Sequence, residues 1–251
     1  METEKLKRVQ ARLLEMADAV TGILEKNDIR YMIAYGSLLG AVRHRGFIPW
    51  DDDFDLWLFD EEYDRAIEIL RRELPPELPV HDRQSDPIYW KAWACVRDLR
   101  SEVHCSLHSD DNALRYKGLT LDLFRLKKMP AREVGAYLER ENMEFLVRKL
   151  DSGTMEPAVF RERFDAAALR YAEELRAIER GEGSGEEVFA FIIYLHGIGQ
   201  GSILPLRRYS FEGREFWGPN DADSVLTMCY RDYMTLPAPE KRTTHYDDVS
   251  F

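Results

Sequence analysis

The sequence is poor in cysteine: Cys95, Cys105 and Cys229 are the three among 251 residues. An odd and small number of cysteines argues against a disulfide-stapled secreted domain and suits a reducing compartment. Long apolar runs are also missing, since no stretch reaches the roughly 18 residues needed to cross a bilayer, and the amino terminus carries no apolar signal core. These absences predict a cytoplasmic protein without a transmembrane segment.

Positive charge is the second scarce property. The chain has 35 Lys and Arg against 46 Asp and Glu, a net charge of −11. A surface of that sign gives no general attraction to nucleic acid or to an anionic membrane. We therefore expect no nucleic-acid partner, and any phosphate must be bound by local basic residues.

Most of the chemistry suggested by the sequence lies between Tyr35 and Leu56. A short alternating pattern that ends at Tyr35 predicts a strand, which then meets Gly36 and Ser37. The glycine allows a sharp turn, and the serine is expected to cap a short helix. Its hydroxyl and the first free N–H groups would then offer hydrogen-bond donors to an anion. The pattern predicts a phosphate site.

A second alternating pattern follows Pro49 and predicts a strand with Asp53 and Asp55 on one face. Two carboxylates held a few ångströms apart repel each other, and one takes up a proton unless a divalent cation compensates them. Carboxylates next to a phosphate suit Mg²⁺, with Mn²⁺ as an alternative. The sequence therefore predicts a metal site beside the phosphate site.

Three other interpretations of the aspartate run were weighed. An EF-hand loop would use Asp51, Asp53 and Asp55, but Leu56 stands where that loop needs glycine. A solvated acidic loop fits poorly with the apolar residues that follow. The Asp-x-Asp motif of a sugar-nucleotide glycosyltransferase is too short to exclude, although it does not account for the glycine–serine pair upstream.

The run from Gly36 to Asp55 reads Gly-Ser-Leu-Leu-Gly-Ala-Val-Arg-His-Arg-Gly-Phe-Ile-Pro-Trp-Asp-Asp-Asp-Phe-Asp. It resembles the signature of the LicD family, the phosphorylcholine transferases that modify bacterial surface glycans, and is similar to the catalytic region of fukutin-related protein. The segment 118–124, which contains Asp122, resembles the family's third-carboxylate strand. The segments 230–237 and 240–242 resemble its closing motif.

This resemblance implies a nucleotidyltransferase-like fold, between α/β and α+β in class, with a mixed sheet flanked by helices. We predict a single elaborated domain over residues 1–251. It would consist of an N-terminal helix (1–27), a catalytic core (28–129), a helical elaboration (130–196) and a C-terminal segment (197–251). Apolar residues spaced by three and four before Asn27 predict the first helix independently.

The resemblance also implies the chemistry. A CDP-activated alcohol such as CDP-choline would place its pyrophosphate against Gly36 and Ser37, with Mg²⁺ held by Asp53, Asp55 and either Asp51 or Asp122. A hydroxyl of a glycan or glycolipid would attack the distal phosphorus and release CMP, and Asp122 would orient or deprotonate that hydroxyl. Any contact with a membrane would come through the acceptor.

Further residues are expected to bind substrate. The basic candidates for the phosphates are Arg43, Arg45, Lys91, Arg97, Lys241 and Arg242. A strand is expected through Ile88 to Arg97. Trp57 shares strand parity with Asp53 and Asp55, so it, or Tyr89 together with Trp93, is predicted to hold a choline head group by cation–π contact.

Two other functions fit the same motifs. A nucleotidyltransferase would direct attack to the proximal phosphorus and leave a nucleotide on its target. A non-catalytic binding module would keep the fold without turnover, but a pure binder has no need of three converging carboxylates.

Overall fold

The computed structural model describes residues 2–106, 113–190 and 197–251. Its α-helices are α1 (Thr3–Lys26), α2 (Tyr35–His44), α3 (Asp60–Glu73), α4 (Val134–Asp151), α5 (Pro157–Glu179), α6 (Gln200–Ile203) and α7 (Ala222–Tyr230). Its strands are β1 (Tyr31–Ile33), β2 (Phe54–Phe59), β3 (Val80–His81), β4 (Ala94–Arg97), β5 (Glu102–His104), β6 (Thr120–Pro130), β7 (Glu187–Ala190), β8 (Gly197–Gly199), β9 (Arg207–Phe211), β10 (Arg214–Gly218) and β11 (Asp248–Ser250). The predicted fold class, a mixed sheet flanked by helices, is confirmed.

The main sheet has the strand order β1-β2-β6-β4-β3. Strands β2 and β6 run parallel and form its centre, while β1, β4 and β3 pair antiparallel. The far half of β6 pairs with β7, which pairs with β8. All six residues of β2 are buried, as expected for a strand covered on both faces. This central parallel pair positions the candidate site.

The long helix α1 forms where the sequence predicts it. Its buried residues recur at steps of three and four and pack into the main core: Leu6, Val9, Leu13, Met16, Ala17, Val20 and Leu24. The helical elaboration contains α4 and α5, and its expected boundary at residue 196 lies outside the described residues. No helix in the described part of the chain is both long and apolar enough to cross a membrane.

Two local expectations were wrong. Strand β1 ends at Ile33, and Tyr35 begins α2 instead of ending the strand. The strand expected from Ile88 begins only at Ala94, because the preceding residues form a loop.

Candidate active site

A cavity of about 590 Å³ lies over the beginning of β2 and β6. Its lining residues are Tyr35, Gly36, Leu39, Ile48, Asp51, Asp53, Asp55, Trp90, Lys91, Trp93, Cys105, Thr120, Asp122, Phe124, Tyr230, His245 and Tyr246. All four carboxylates proposed from the sequence therefore face one space. Aromatic rings form much of the remaining wall.

The parallel register of the two central strands brings Asp55 and Asp122 together. Asp55 is paired with Asp122 across β2 and β6, so the two carboxylates project from neighbouring strands on the same face of the sheet. On its other side Asp122 is paired with Cys95 of β4. The structure thus places Asp122 beside Asp55, where the sequence predicts a third carboxylate.

Ser37 has a different role from the predicted one. Helix α2 begins two residues earlier and has no side-chain cap, so Ser37 lies inside the first turn. Its buried hydroxyl accepts a hydrogen bond from the backbone N–H of Asp55 at 2.9 Å. Ser37 therefore ties the helix to the start of β2 and fixes where the Asp55 side chain emerges.

Gly36 lines the cavity, and its lack of a side chain leaves room for the Asp51 carboxylate. A Cβ at this position would lie 2.9 Å from Oδ2 of Asp51. Any larger residue would push the carboxylate away or displace the helix start. The glycine is thus explained by the close approach of a carboxylate, whereas its predicted contact with phosphate remains a prediction.

The carboxylates destabilise one another's charged forms. Burial raises the pKa of Asp51, and the Asp53 charge raises it further. Burial also raises the pKa of Asp55, followed by the charges of Asp53 and Asp122. For Asp53 burial again raises the pKa, and nearby His245 opposes this effect. The positive side chains near the cavity therefore do not fully offset the negative charge of its carboxylates.

A cation from the far end of the sequence offsets part of this charge. His245 Nδ1 lies 2.9 Å from Oδ1 of Asp52 and 3.4 Å from Oδ2 of Asp53. The hydrogen bond to Asp52, followed by the Asp53 charge, raises the pKa of His245 to about 10. The imidazolium is therefore a fixed positive charge at the edge of the carboxylate group.

The residues present suit a divalent cation. Asp51 and Asp53 each offer a carboxylate oxygen, and these oxygens lie within 4.8 Å of each other and of a His245 nitrogen. In its protonated form His245 has no lone pair for a metal, so it lies beside the ligands as a positive charge. Oδ1 of Asp122 is buried and accepts no hydrogen bond from any residue that the structure describes. Buried carboxylates that repel each other match the hard oxygen ligands preferred by Mg²⁺. Asp53 and Asp55 remain the predicted ligands, with either Asp51 or Asp122 as a third, and the short distance from Asp51 to Asp53 favours Asp51.

Adding Mg²⁺ is expected to raise the melting temperature of the protein. A ligand that binds only the folded state at 100 times its Kd stabilises it by about 2.7 kcal/mol. For a chain of this size this corresponds to a rise of about 5–10 °C. Thermal scans with and without Mg²⁺ measure the shift, with Asp165→Asn on the exposed surface of α5 as the matched control. Equal shifts in wild type and Asp55→Asn would contradict this metal site.

Of the predicted phosphate-binding cations, Lys91 alone is among the residues that line the cavity. Arg43 points elsewhere, because its Nη1 donates to the backbone oxygen of Tyr233 at 2.5 Å. Arg45 is exposed and ends α2 in the left-handed conformation, with φ of 60°. Arg97 is buried, and its Nη1 donates to the Gly118 carbonyl at 3.0 Å. Arg43 and Arg97 therefore bind carbonyl oxygens of the protein instead of facing the cavity, and Arg45 does not line the cavity.

The two basic residues predicted in the C-terminal segment, Lys241 and Arg242, also do not line the cavity. Lys241 closes a single 3₁₀ turn. Arg242 Nε donates to the carbonyl oxygen of Pro237 at 2.8 Å, and its guanidinium lies 5.2 Å from the ring centre of Trp50. Within the described residues the C-terminal segment contributes Tyr230, His245 and Tyr246 to the cavity instead.

The structure contradicts the position predicted for Trp57. Its side chain is fully buried, and the ring of Tyr35 lies 4.7 Å away. Tyr35, not Trp57, forms the wall at this point. Tyr89 is buried as well and does not line the cavity, whereas Trp93 and its neighbour Trp90 do. The aromatic part of the site is thus built from other rings than the proposed Trp57.

Comparison with known proteins agrees with the geometry. Residues 28–138 match the family model described as LicD/FKTN/FKRP, nucleotidyltransferase domain. The lipopolysaccharide cholinephosphotransferase LicD of Haemophilus influenzae is 24% identical over an alignment that covers 98% of this chain and 97% of its own. Human ribitol 5-phosphate transferase FKRP is 50% identical over 61 residues, which cover 24% of this chain and 12% of its own.

An uncharacterized protein of Rickettsia prowazekii is 50% identical over 86 residues, 27% of this chain and 32% of its own. The resemblance stated from the sequence is therefore confirmed: residues 28–138 match the LicD/FKTN/FKRP nucleotidyltransferase domain, and similarity to a LicD protein extends over nearly the whole chain.

Proposed function

We propose that the protein is a metal-dependent phosphotransferase that moves phosphocholine from a CDP-activated donor to a hydroxyl of a cell-surface glycan precursor and releases CMP. The observation that carries this proposal is the convergence of Asp51, Asp53, Asp55 and Asp122 on one aromatic-walled cavity. The similarity to a cholinephosphotransferase and to a ribitol 5-phosphate transferase supports transfer of an alcohol phosphate. A cytoplasmic location remains a prediction.

The reaction balances without a further reactant. The acceptor oxygen forms a bond to the distal phosphorus, the bond from that phosphorus to the CMP oxygen breaks, and the acceptor proton passes to Asp122. Asp53 and Asp55 would hold a divalent cation, which would supply charge neutralisation at the phosphoryl oxygens. Lys91 and His245 line the same cavity and supply positive charge to the phosphates. The protein's own work is positioning and charge compensation.

The aromatic wall favours choline as the transferred alcohol. A quaternary ammonium binds to the faces of aromatic rings, whereas a polyol needs a set of hydrogen bonds. The ring centres of Trp93 and Phe124 lie 4.7 Å apart, and Tyr35 contacts Phe124 at 5.0 Å. Lys91 Nζ lies 6.0 Å from the Trp93 ring centre, so this ring already faces one cation. These rings replace Trp57 as the proposed head-group contacts.

Trp93→Leu is expected to lower the preference for CDP-choline over CDP-ribitol. Loss of a cation–π contact worth about 0.5–2 kcal/mol corresponds to a decrease of about 2- to 30-fold in the ratio of kcat/KM values. Competition between the two donors measures this ratio. Trp217→Leu is the matched control, because Trp217 lies on β10 and does not line the cavity. Trp57 is unsuitable, since loss of a fully buried ring destabilises the fold.

An unchanged ratio in Trp93→Leu, or a wild type that prefers CDP-ribitol, would remove the physical support for choline.

Phosphotransfer itself is tested by incubating the wild type with CDP-choline, CDP-ribitol, CDP-glycerol or a UDP-sugar, with and without Mg²⁺. Metal-dependent release of CMP supports the proposal. A nucleotide attached to the acceptor would favour attack at the proximal phosphorus, and binding without turnover would favour the binding module.

A further inference from the structure

Asp52 differs from the aspartates on either side of it. Its side chain is fully buried, and it does not line the cavity that Asp51 and Asp53 share. Its carboxylate instead points to the C-terminal segment, more than 190 residues away in sequence. The backbone N–H of His245 donates to Oδ1 at 2.8 Å, His245 Nδ1 donates to the same oxygen, and the backbone N–H of Tyr246 donates to Oδ2 at 2.9 Å.

The segment held in this way forms one wall of the site. His245 and Tyr246 both line the cavity. Tyr246 is buried and shares the cavity wall with Thr120 and Asp122 of β6. His245 Nδ1 lies 2.9 Å from Asp52 and 3.4 Å from Asp53. These two neighbouring residues of the C-terminal segment therefore lie beside the carboxylate group of the site.

The segment has a second anchor that does not involve Asp52. Strand β11 pairs with β5, with Val249 opposite Val103, and the Asp247 N–H donates to the His104 carbonyl at 2.9 Å. The side chain of Val249 is buried. Loss of Asp52 is therefore expected to leave the end of the chain attached while residues 245 and 246 move. The Asp52→Asn variant is therefore expected to fold while the cavity wall at residues 245 and 246 changes.

We propose that Asp52 is a positioning residue, which holds the C-terminal segment against the aspartate loop and thereby completes the active-site wall with His245 and Tyr246. A carboxylate is the group that fits, since both of its oxygens accept and all three facing groups donate. An asparagine carries one acceptor oxygen and one donor amide, which would face either the Tyr246 N–H or the two His245 donors. Asp52→Asn would therefore keep at most two of the three hydrogen bonds, and the accepting oxygen would no longer carry a negative charge.

The first measurement is hydrogen exchange in Asp52→Asn, and it does not depend on any activity. The amides of His245 and Tyr246 are expected to exchange faster than in the wild type, while the β5–β11 amides keep their protection. Asp98→Asn is the matched control. Asp98 is also a fully buried carboxylate, it pairs with Arg12 at 2.8 Å, and it lies outside the cavity. Unchanged exchange at residues 245 and 246 in Asp52→Asn would overturn the proposal.

The second measurement rests on the proposed phosphotransfer. Asp52→Asn is expected to lower kcat about 10- to 100-fold with a smaller effect on KM, since displaced groups fail to position the phosphates. Asp98→Asn, assayed where both variants are folded, is expected to keep kcat within about twofold. If the wild type has no phosphotransferase activity, the proposed function fails while hydrogen exchange still decides the role of Asp52.

A double-mutant cycle separates positioning from a general loss of stability. If Asp52 acts through His245, the kcat of the double variant Asp52→Asn/His245→Ala is expected to be close to that of the slower single variant. Fully additive losses would contradict this route. Tyr246→Phe tests the other contact, because it removes only the phenol and keeps the backbone N–H that Asp52 binds. Turnover equal to wild type in both His245→Ala and Tyr246→Phe would also overturn the proposal.

Discussion

Asp55→Asn is expected to lower turnover by at least about a thousandfold and, at the same time, to stabilise the metal-free protein. The loss of rate corresponds to about 4 kcal/mol of transition-state stabilisation. The gain in stability follows from burial and from the charges of Asp53, Asp122 and Asp51, which raise the pKa of Asp55 in the folded state. Each pKa unit of such a shift corresponds to about 1.4 kcal/mol.

The direction of the pH dependence follows from the same shift. A carboxyl group whose folded-state pKa lies above its unfolded value contributes stability at low pH and loses it as the pH rises through the folded pKa. Asparagine does not titrate, so the stability advantage of Asp55→Asn is expected to grow from acidic to alkaline pH. Urea unfolding in the presence of a chelator, repeated across pH, measures this difference.

Asp53→Asn is expected to behave in the same direction, and Asp165→Asn on the exposed surface of α5 provides the control for a lost charge. Two results would count against the assignment. Activity of Asp55→Asn within tenfold of the wild type would remove this carboxylate from the mechanism. A metal-free variant less stable than wild type at alkaline pH would mean that the charges around Asp55 are compensated.

The parts of the site that follow from local sequence were predictable. The glycine–serine pair, the aspartates before and within β2, and Asp122 on a later strand keep their order, and the parallel pairing of β2 with β6 aligns Asp55 with Asp122. Strand alternation fixes which face of the sheet a side chain occupies. That information was sufficient to group Asp53 with Asp55, whereas Asp122 was added to them by the resemblance of its strand to the family's.

Alternation does not reveal what covers a side chain on that face. Trp57 lies on the same side of β2 as Asp55, yet the ring of Tyr35, which begins the preceding helix α2, packs against it. Similarly, Arg43 lies within the motif in sequence, but its guanidinium donates to the carbonyl oxygen of Tyr233. Tertiary contacts of this kind leave no local pattern.

The contribution of the C-terminal segment was the largest omission. The sequence shows His245 near Lys241 and Arg242, but not that it reaches Asp52 across the fold. Asp52 itself is indistinguishable in sequence from Asp51 and Asp53, and only its buried, three-fold hydrogen-bonded environment separates its role from theirs. The resemblance of the tail to the family's closing motif was the one signal that pointed to this region.

Asp122→Asn is expected to retain donor and Mg²⁺ binding while turnover decreases by about 10²- to 10⁴-fold, the range for loss of a general base. Its carboxylate lies beside Asp55, but the carboxylate oxygens that lie close enough together to share a metal come from Asp51 and Asp53. The buried Oδ1 of Asp122 is bonded to none of the described residues, so it is available to accept a proton from an incoming hydroxyl.

Titration calorimetry with CDP-choline, with and without Mg²⁺, separates the two roles of this residue. Affinity within about threefold of the wild type, together with the loss of turnover, is the expected result. Turnover of Asp122→Asn should also recover partly as pH rises, because hydroxide in solution can then remove the acceptor proton that the missing carboxylate no longer takes. Lost donor affinity would instead make Asp122 a metal ligand, and the proton acceptor would then have to be found among the other groups that line the cavity.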